Sequence, residues 1–294
     1  MNKEFFSKNK RYITSVVYVV VLVLLLLLKW LVPNNYGALG FDALFCAISI
    51  IGCLEFFNAV KIVPFQHKVV SIAFCASVIP LFVLCEMTNV GGYIPSAIMY
   101  LVYCIALVIL SLVLRGENSL NNALLSLCAI TYCGVLSWVF SAVNHLSENS
   151  MPAVLLMFLI VMLTDSFAYV FGKLLKRWVP YRLAPKVSPN KTIIGGVGGL
   201  IGGMIAGILA YFIWFGGNII YIGGMPVVVA FLLMGFVGAI VGQAGDLLES
   251  YFKRRCGIKD SGNILPGHGG VLDRFDSMFI VGILVLIGFL ILSI

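Results

Sequence analysis

The stretch SYFKRRCGIKDSGNILPGHGGVLDRFD, Ser250–Asp276, sets Lys253, Arg254, Arg255, Lys259 and Arg274 beside Asp260, Asp273 and Asp276. It also carries His268 inside a Pro-Gly-His-Gly-Gly turn, and Asp246 and Glu249 lie just upstream. Carboxylates can hold a divalent ion, cations can screen phosphate charge, and glycine leaves backbone N–H groups open to a ligand. Together these are the parts of a metal-assisted phosphoryl or nucleotidyl transfer. In such chemistry the attacking group is often already anionic, so His268 suits binding or positioning better than proton abstraction.

The elements that must hold this loop are apolar. Hydrophobic residues make up 61% of the chain and charged residues only 11%, against about 25% charged in a soluble protein. Mean hydropathy is +1.08. Long apolar runs recur from end to end, which predicts an all-α, polytopic integral membrane protein. About nine spans are expected, near 13–31, 39–58, 69–86, 94–114, 122–142, 151–172, 193–215, 225–248 and 275–293. The first is expected to be a retained span rather than a cleaved signal. If the N-terminus is cytoplasmic, the loops at 59–68, 115–121, 173–192 and 249–274 are cytoplasmic too. That orientation puts 18 of the 19 Lys and Arg residues inside, all but Lys29.

The net charge of +7 thus lies in short loops beside spans, and anionic lipid headgroups, not nucleic acid, are its expected partner. Seven of the eight cysteines fall in apolar runs and no CxxC pair exists, so neither a zinc site nor a disulfide framework is expected. The two long polar loops, 173–192 and 249–274, both belong to the C-terminal half. The chain therefore divides into a scaffold, about 1–150, and a reactive half, about 151–294. In the seventh span Gly195, Gly199, Gly203 and Gly207 recur every fourth residue. With no strand before them they predict close helix packing rather than a phosphate loop.

Four carboxylates are embedded in or at the ends of spans: Asp42, Glu55, Asp165 and Asp246. Each is costly at membrane depth, at least ~3 kcal/mol on insertion scales. Asp42 and Glu55 lie near the ends of their span and read as interfacial charges within reach of water. Asp165 sits ~21 Å into the sixth span at 1.5 Å per residue. Asp246 ends the eighth span and Asp273 starts the ninth, with Asp276 one turn further on. These acids could hold magnesium together with substrate phosphates; equally, they could only neutralise the neighbouring Lys and Arg residues. In the other loop, APKVSPNKT at 184–192 offers Lys186, Ser188, Lys191 and Thr192 to a triphosphate or lipid phosphate. A merely solvated basic loop is the alternative there.

These motifs resemble the signature of the phosphatidate cytidylyltransferases, or CDP-diacylglycerol synthases. The pattern S-x-x-K-R, K-D, the Pro-Gly-His-Gly-Gly turn and D-R-x-D is met by Ser250, Lys253, Arg254, Lys259, Asp260, Pro266, Gly267, His268, Gly269, Gly270, Asp273, Arg274 and Asp276. DSFAYVFGK at 165–173, APKVSPNKT at 184–192 and GDLLES at 245–250 are similar to the family as well, so the likeness covers about 151–277. One position departs: Ile194 stands where the family often has Glu or Gln. The resemblance implies that CTP and phosphatidic acid give CDP-diacylglycerol and pyrophosphate, in a magnesium-dependent homodimer at the inner, cytoplasmic face of the cell membrane. A second cation, monovalent or divalent, is an optional complement.

By position, the resemblance makes Asp246 and Asp273 the metal ligands and, with Lys259 and His268, the catalytic set. Asp165, Lys186, Ser188, Lys191, Thr192, Lys253, Arg254, Arg274 and Asp276 fall to substrate binding. Competing readings are a related lipid cytidylyltransferase, a lipid-alcohol kinase, and an ion-coupled transporter using Asp165 and Asp246. Against the transporter, the polar residues gather in loops on one side and no inverted repeat is visible.

Overall fold

A computed structural model describes residues 3–32, 34–114, 118–146, 149–222, 224–265 and 269–292. His268, Pro266 and Gly267 lie outside the described residues. Among the described residues the chain is all-α apart from two short hairpins. Its helices are α1 (Lys3–Leu31), α2 (Leu39–Val60), α3 (Phe65–Met87), α4 (Tyr93–Val113), α5 (Ser119–Ala129), α6 (Leu136–Asn144), α7 (Ser150–Leu174), α8 (Ile193–Phe215), α9 (Val227–Arg255) and α10 (Leu272–Leu292). A wide turn, Ile130–Val135, joins α5 to α6 without a break in the span. The hairpins are β1 (Arg182–Ala184) with β2 (Ser188–Thr192), and β3 (Tyr221–Ile222) with β4 (Met225–Pro226).

Eight helical segments among the described residues are long and apolar enough to cross a membrane. They correspond to the last eight spans expected from sequence, with α9 running on past the expected end at 248 to Arg255. In α1 the apolar part, Val16–Leu31, is shorter. The chain is thus a polytopic α-helical membrane protein.

Two compact units are formed, residues 1–141 with 258–274, and residues 142–257 with 275–294. In the first, large aromatic side chains fill the interior. Phe41, Phe45, Phe74, Phe82 and Phe140 are fully buried, and Phe82, Tyr93 and Trp138 meet edge to face. Such contacts give packing between spans where lipid supplies no hydrophobic drive. Polar pairs add to it: His67 Nε2 lies 2.7 Å from Ser111 Oγ, joining α3 to α4. Ser141 Oγ donates to Asp42 Oδ1 at 2.6 Å.

In the second unit α7, α8 and α9 pack through glycine. A Cβ at Gly203 would stand 2.4 Å from the Gly235 carbonyl oxygen, and one at Gly202 would strike the Leu163 carbonyl. A Cβ at Gly207 would run into the Phe231 carbonyl. The glycine stripe is therefore a close-packing device, as expected. Tyr211, Phe215, Phe231 and Phe289 form an aromatic cluster toward the far end. There Tyr211 Oη donates to the Asn218 carbonyl, capping the turn after α8.

Candidate active site

Helix α9 runs on to Arg255, so Glu249, Ser250, Lys253 and Arg254 lie on its last turns rather than in a loop. The i, i+4 spacing pairs them. Ser250 Oγ donates to Asp246 Oδ1 at 3.3 Å, and Lys253 Nζ meets Glu249 Oε2 at 2.6 Å. The β1–β2 hairpin is strapped to this helix end. Lys191 Nζ lies 2.5 Å from Asp246 Oδ2, and Arg254 Nε donates to the Val187 carbonyl at 3.4 Å. Lys186 is exposed in the turn between the strands, and Ser188 is half-buried at the start of β2.

Thr192 ends β2 and caps α8: its hydroxyl accepts from Gly195 N–H at 3.1 Å. It is buried. Ile194, the position that departs from the resembled family, is half-buried in the first turn of α8.

Asp276 is buried, only 8% exposed, and accepts the Ser277 N–H at 2.6 Å. Gly245 permits a close approach there, since a Cβ on it would be 2.9 Å from the Asp276 carbonyl oxygen. In the second unit Lys191 and Lys253 are thus set against the carboxylates of Asp246 and Glu249. Asp165 itself is exposed on α7.

In the first unit, residues 258–274 wrap two carboxylates, Asp273 and Glu55. Asp273 Oδ2 accepts from Gly270 N–H at 2.7 Å, from Ser261 N–H at 2.9 Å and from Ser261 Oγ at 2.9 Å. Glu55 Oε1 accepts from Val271 N–H at 3.0 Å, and Oε2 from Leu272 N–H at 3.0 Å and Ser261 Oγ at 3.3 Å. Leu265 N–H donates to the Gly269 carbonyl at 3.0 Å. Gly269 has φ +87°, and a Cβ there would also press on Asp273 Oδ2 at 2.7 Å. Glycine is required at that position on both counts. Lys259 and Arg274 are exposed on this segment.

Two expectations are corrected. Asp42 and Glu55 are not water-facing charges: they are 4% and 2% exposed, and hydrogen bonds from Ser141 and from the 258–274 segment compensate their burial. Glu55 is the residue that sequence spacing missed. The only signal for it was a carboxylate inside an apolar span, one that Asp42 shares.

Asp246 and Asp273 offer oxygen donors, the kind magnesium takes alongside water and substrate phosphate. Among the described residues no group of three or more His, Cys, Asp or Glu side chains is gathered as an ion cage. For each of the two carboxylates the fit is one of donor chemistry alone.

The model of the cytidylyltransferase family matches residues 9–292, nearly the whole chain. A phosphatidate cytidylyltransferase of Staphylococcus haemolyticus is 35% identical over 221 residues, covering 74% of this chain and 79% of that protein. Phosphatidate cytidylyltransferases of Staphylococcus aureus and Staphylococcus epidermidis are 34% and 35% identical over the same length and shares.

Proposed function

The chain belongs to the cytidylyltransferase family, and from that premise we propose that it is a CTP-using nucleotidyltransferase of phospholipid biosynthesis that converts CTP and phosphatidic acid to CDP-diacylglycerol and pyrophosphate. The observation that carries this reading is the likeness to phosphatidate cytidylyltransferases across 79% of their length, with every signature position from Ser250 to Asp276 in place. That likeness favours nucleotidyl transfer over the kinase and transporter readings.

In the reaction a phosphatidate oxygen attacks the α-phosphorus of CTP. The bond from that phosphorus to the oxygen bridging the β-phosphate breaks, and the electron pair leaves with pyrophosphate. Charge builds on the phosphoryl oxygens, so stabilisation must be electrostatic. Lys191, Lys253 and Arg254 are cations of one helix end and its strapped hairpin, and they serve the phosphates in this reading. Lys186, Ser188 and Thr192 on the hairpin, and Lys259, His268 and Arg274 on the signature segment, complete the binding groups. Asp246 and Asp273 would hold magnesium, which supplies Lewis-acid neutralisation of phosphate charge. Asp165 and Asp276 belong to the substrate-binding groups in this reading.

Lysine pairing of Asp246 suits this role. Were Asp246 to hold an ion, the Lys191 ammonium would be free to turn to a phosphate. The lipid substrate explains the location of the polar groups: acyl chains stay in the bilayer while the headgroup reaches the helix ends. The proposal includes a cytoplasmic N-terminus and a cytoplasmic active site in the cell membrane, supported by the placement of Lys and Arg in alternate loops. A homodimer is likewise part of the reading, from the family resemblance.

The test uses purified protein in detergent with CTP, magnesium and a panel of lipids. Release of pyrophosphate with formation of CDP-diacylglycerol from phosphatidic acid is expected. Release of CDP with a phosphorylated lipid alcohol would establish a kinase instead, and no turnover with any lipid would overturn both.

A further inference from the structure

We propose that Glu55, on α2 and far in sequence from every motif of the signature, is the positioning residue that fixes the 258–274 segment and through it the Asp273 carboxylate. The inference deepens the functional reading above and rests on it for the role of Asp273. Three observations carry it. Both oxygens of a carboxylate only 2% exposed are used, one on Val271 N–H, the other on Leu272 N–H and Ser261 Oγ. The two amides are at the start of α10, where N–H groups have no partner inside the helix and favour a negative charge. Ser261 Oγ then bridges to Asp273 Oδ2 at 2.9 Å.

The segment is shaped around this carboxylate. A methyl group at Gly262 or at Gly270 would collide with the Glu55 carboxyl group. Glycines at those positions thus form a cradle that closes on Glu55 from two sides. A carboxylate serving structure alone could be satisfied by any nearby donors. This one takes the helix start of α10 and the hydroxyl that also holds Asp273, so displacing it displaces Asp273. Groups that orient a metal ligand in this way commonly matter about 10–100-fold to metal affinity.

Gln at position 55 preserves shape but exchanges one accepting oxygen for an NH2 group. Because both oxygens face donors, at least one contact becomes donor against donor. Full-length wild type, E55Q and Gly262→Ala are compared in detergent. The alanine variant keeps the acid and pushes on it from the cradle. Amide hydrogen exchange over 258–274 is expected to quicken in both variants while α7–α9 stay protected. The magnesium concentration for half-maximal turnover should rise about 10-fold, with kcat recovered largely at saturating magnesium.

Unchanged exchange in the segment would overturn the proposal, as would faster exchange with wild-type magnesium and CTP dependence. So would a lower melting temperature with full activity per folded molecule, which is the mark of a purely structural acid. Failure of the functional reading looks different: wild type itself makes no CDP-lipid, and the exchange experiment alone then decides whether Glu55 holds the segment.

Discussion

The carboxylate pairs Glu55–Asp273 and Asp246–Glu249, one pair in each unit, are held in two different ways. In the first, Glu55 and Asp273 take backbone N–H groups and one shared serine hydroxyl. In the second, Asp246 and Glu249 take the ammonium groups of Lys191 and Lys253. Backbone donors cannot leave without unfolding the segment, so those acids are fixtures. A lysine head swings on a four-carbon stem and can trade its partner for a phosphate. The first pair is therefore rigidly held, and the second carries exchangeable charges.

The largest expected effect falls on the two proposed metal ligands, one of each kind. Asp246→Asn and Asp273→Asn should each lower turnover by at least about 1,000-fold, since each removes charge from the group that neutralises the phosphates. Product formation by purified protein checks this, with melting curves to show that both variants fold. The contrast should appear in those curves. Asp273→Asn can keep a carbonyl oxygen on the three donors but gives them a neutral acceptor in place of a carboxylate, and should melt at a lower temperature. Asp246→Asn frees an ammonium that water can solvate and should melt close to wild type. Equal melting temperatures would break the distinction.

Next comes Lys191. Lys191→Met keeps the length of the side chain but removes the exchangeable charge, and a loss of about 10–100-fold in kcat/KM for CTP is expected, the range of a charge-assisted phosphate contact (~1.5–3 kcal/mol). If Lys191 only straps the hairpin to α9, kcat/KM stays near wild type and only the melting temperature moves. The two serines sharpen the comparison further. Ser261→Ala removes a hydroxyl shared by Glu55 and Asp273, whereas Ser250→Ala removes one 3.3 Å bond to Asp246. The first should raise the magnesium requirement several-fold; the second should change it less than twofold, as for a modest hydrogen bond on a half-exposed helix face.

The two arrangements were unequally legible in the sequence. The spans were readable because apolar runs of membrane length have few other uses, and the break between α2 and α3 shows as Lys61 and Pro64. The pairing of Ser250 with Asp246 follows from i, i+4 spacing on a helix. The glycine stripe of α8 was readable because its period matches one helix face. Burial of Asp42 and Glu55 was not, because position near a span end says nothing about what covers it. Glu55 is joined to its donors across more than 200 positions, and no local pattern marks such a partner. The β1–β2 hairpin was missed for the opposite reason: its strands are too short and too polar for alternation to register.

Helix starts give the finest version of the comparison. Helix α8 is capped from three residues away by the Thr192 hydroxyl, whereas α10 is capped by Glu55 from another helix. A local cap stabilises only its own first turn, so Thr192→Ala should cost about 1 kcal/mol and lower the melting temperature by a few degrees. Thr192→Ser retains the accepting oxygen and should restore it. The reach of the disturbance also differs: after Thr192→Ala, faster amide exchange should be confined to the first turn of α8, near Gly195. Exchange that spread along α8 and into α9 would mean that the local cap tensions the glycine-packed interface, and the two helix starts would then differ in distance but not in kind.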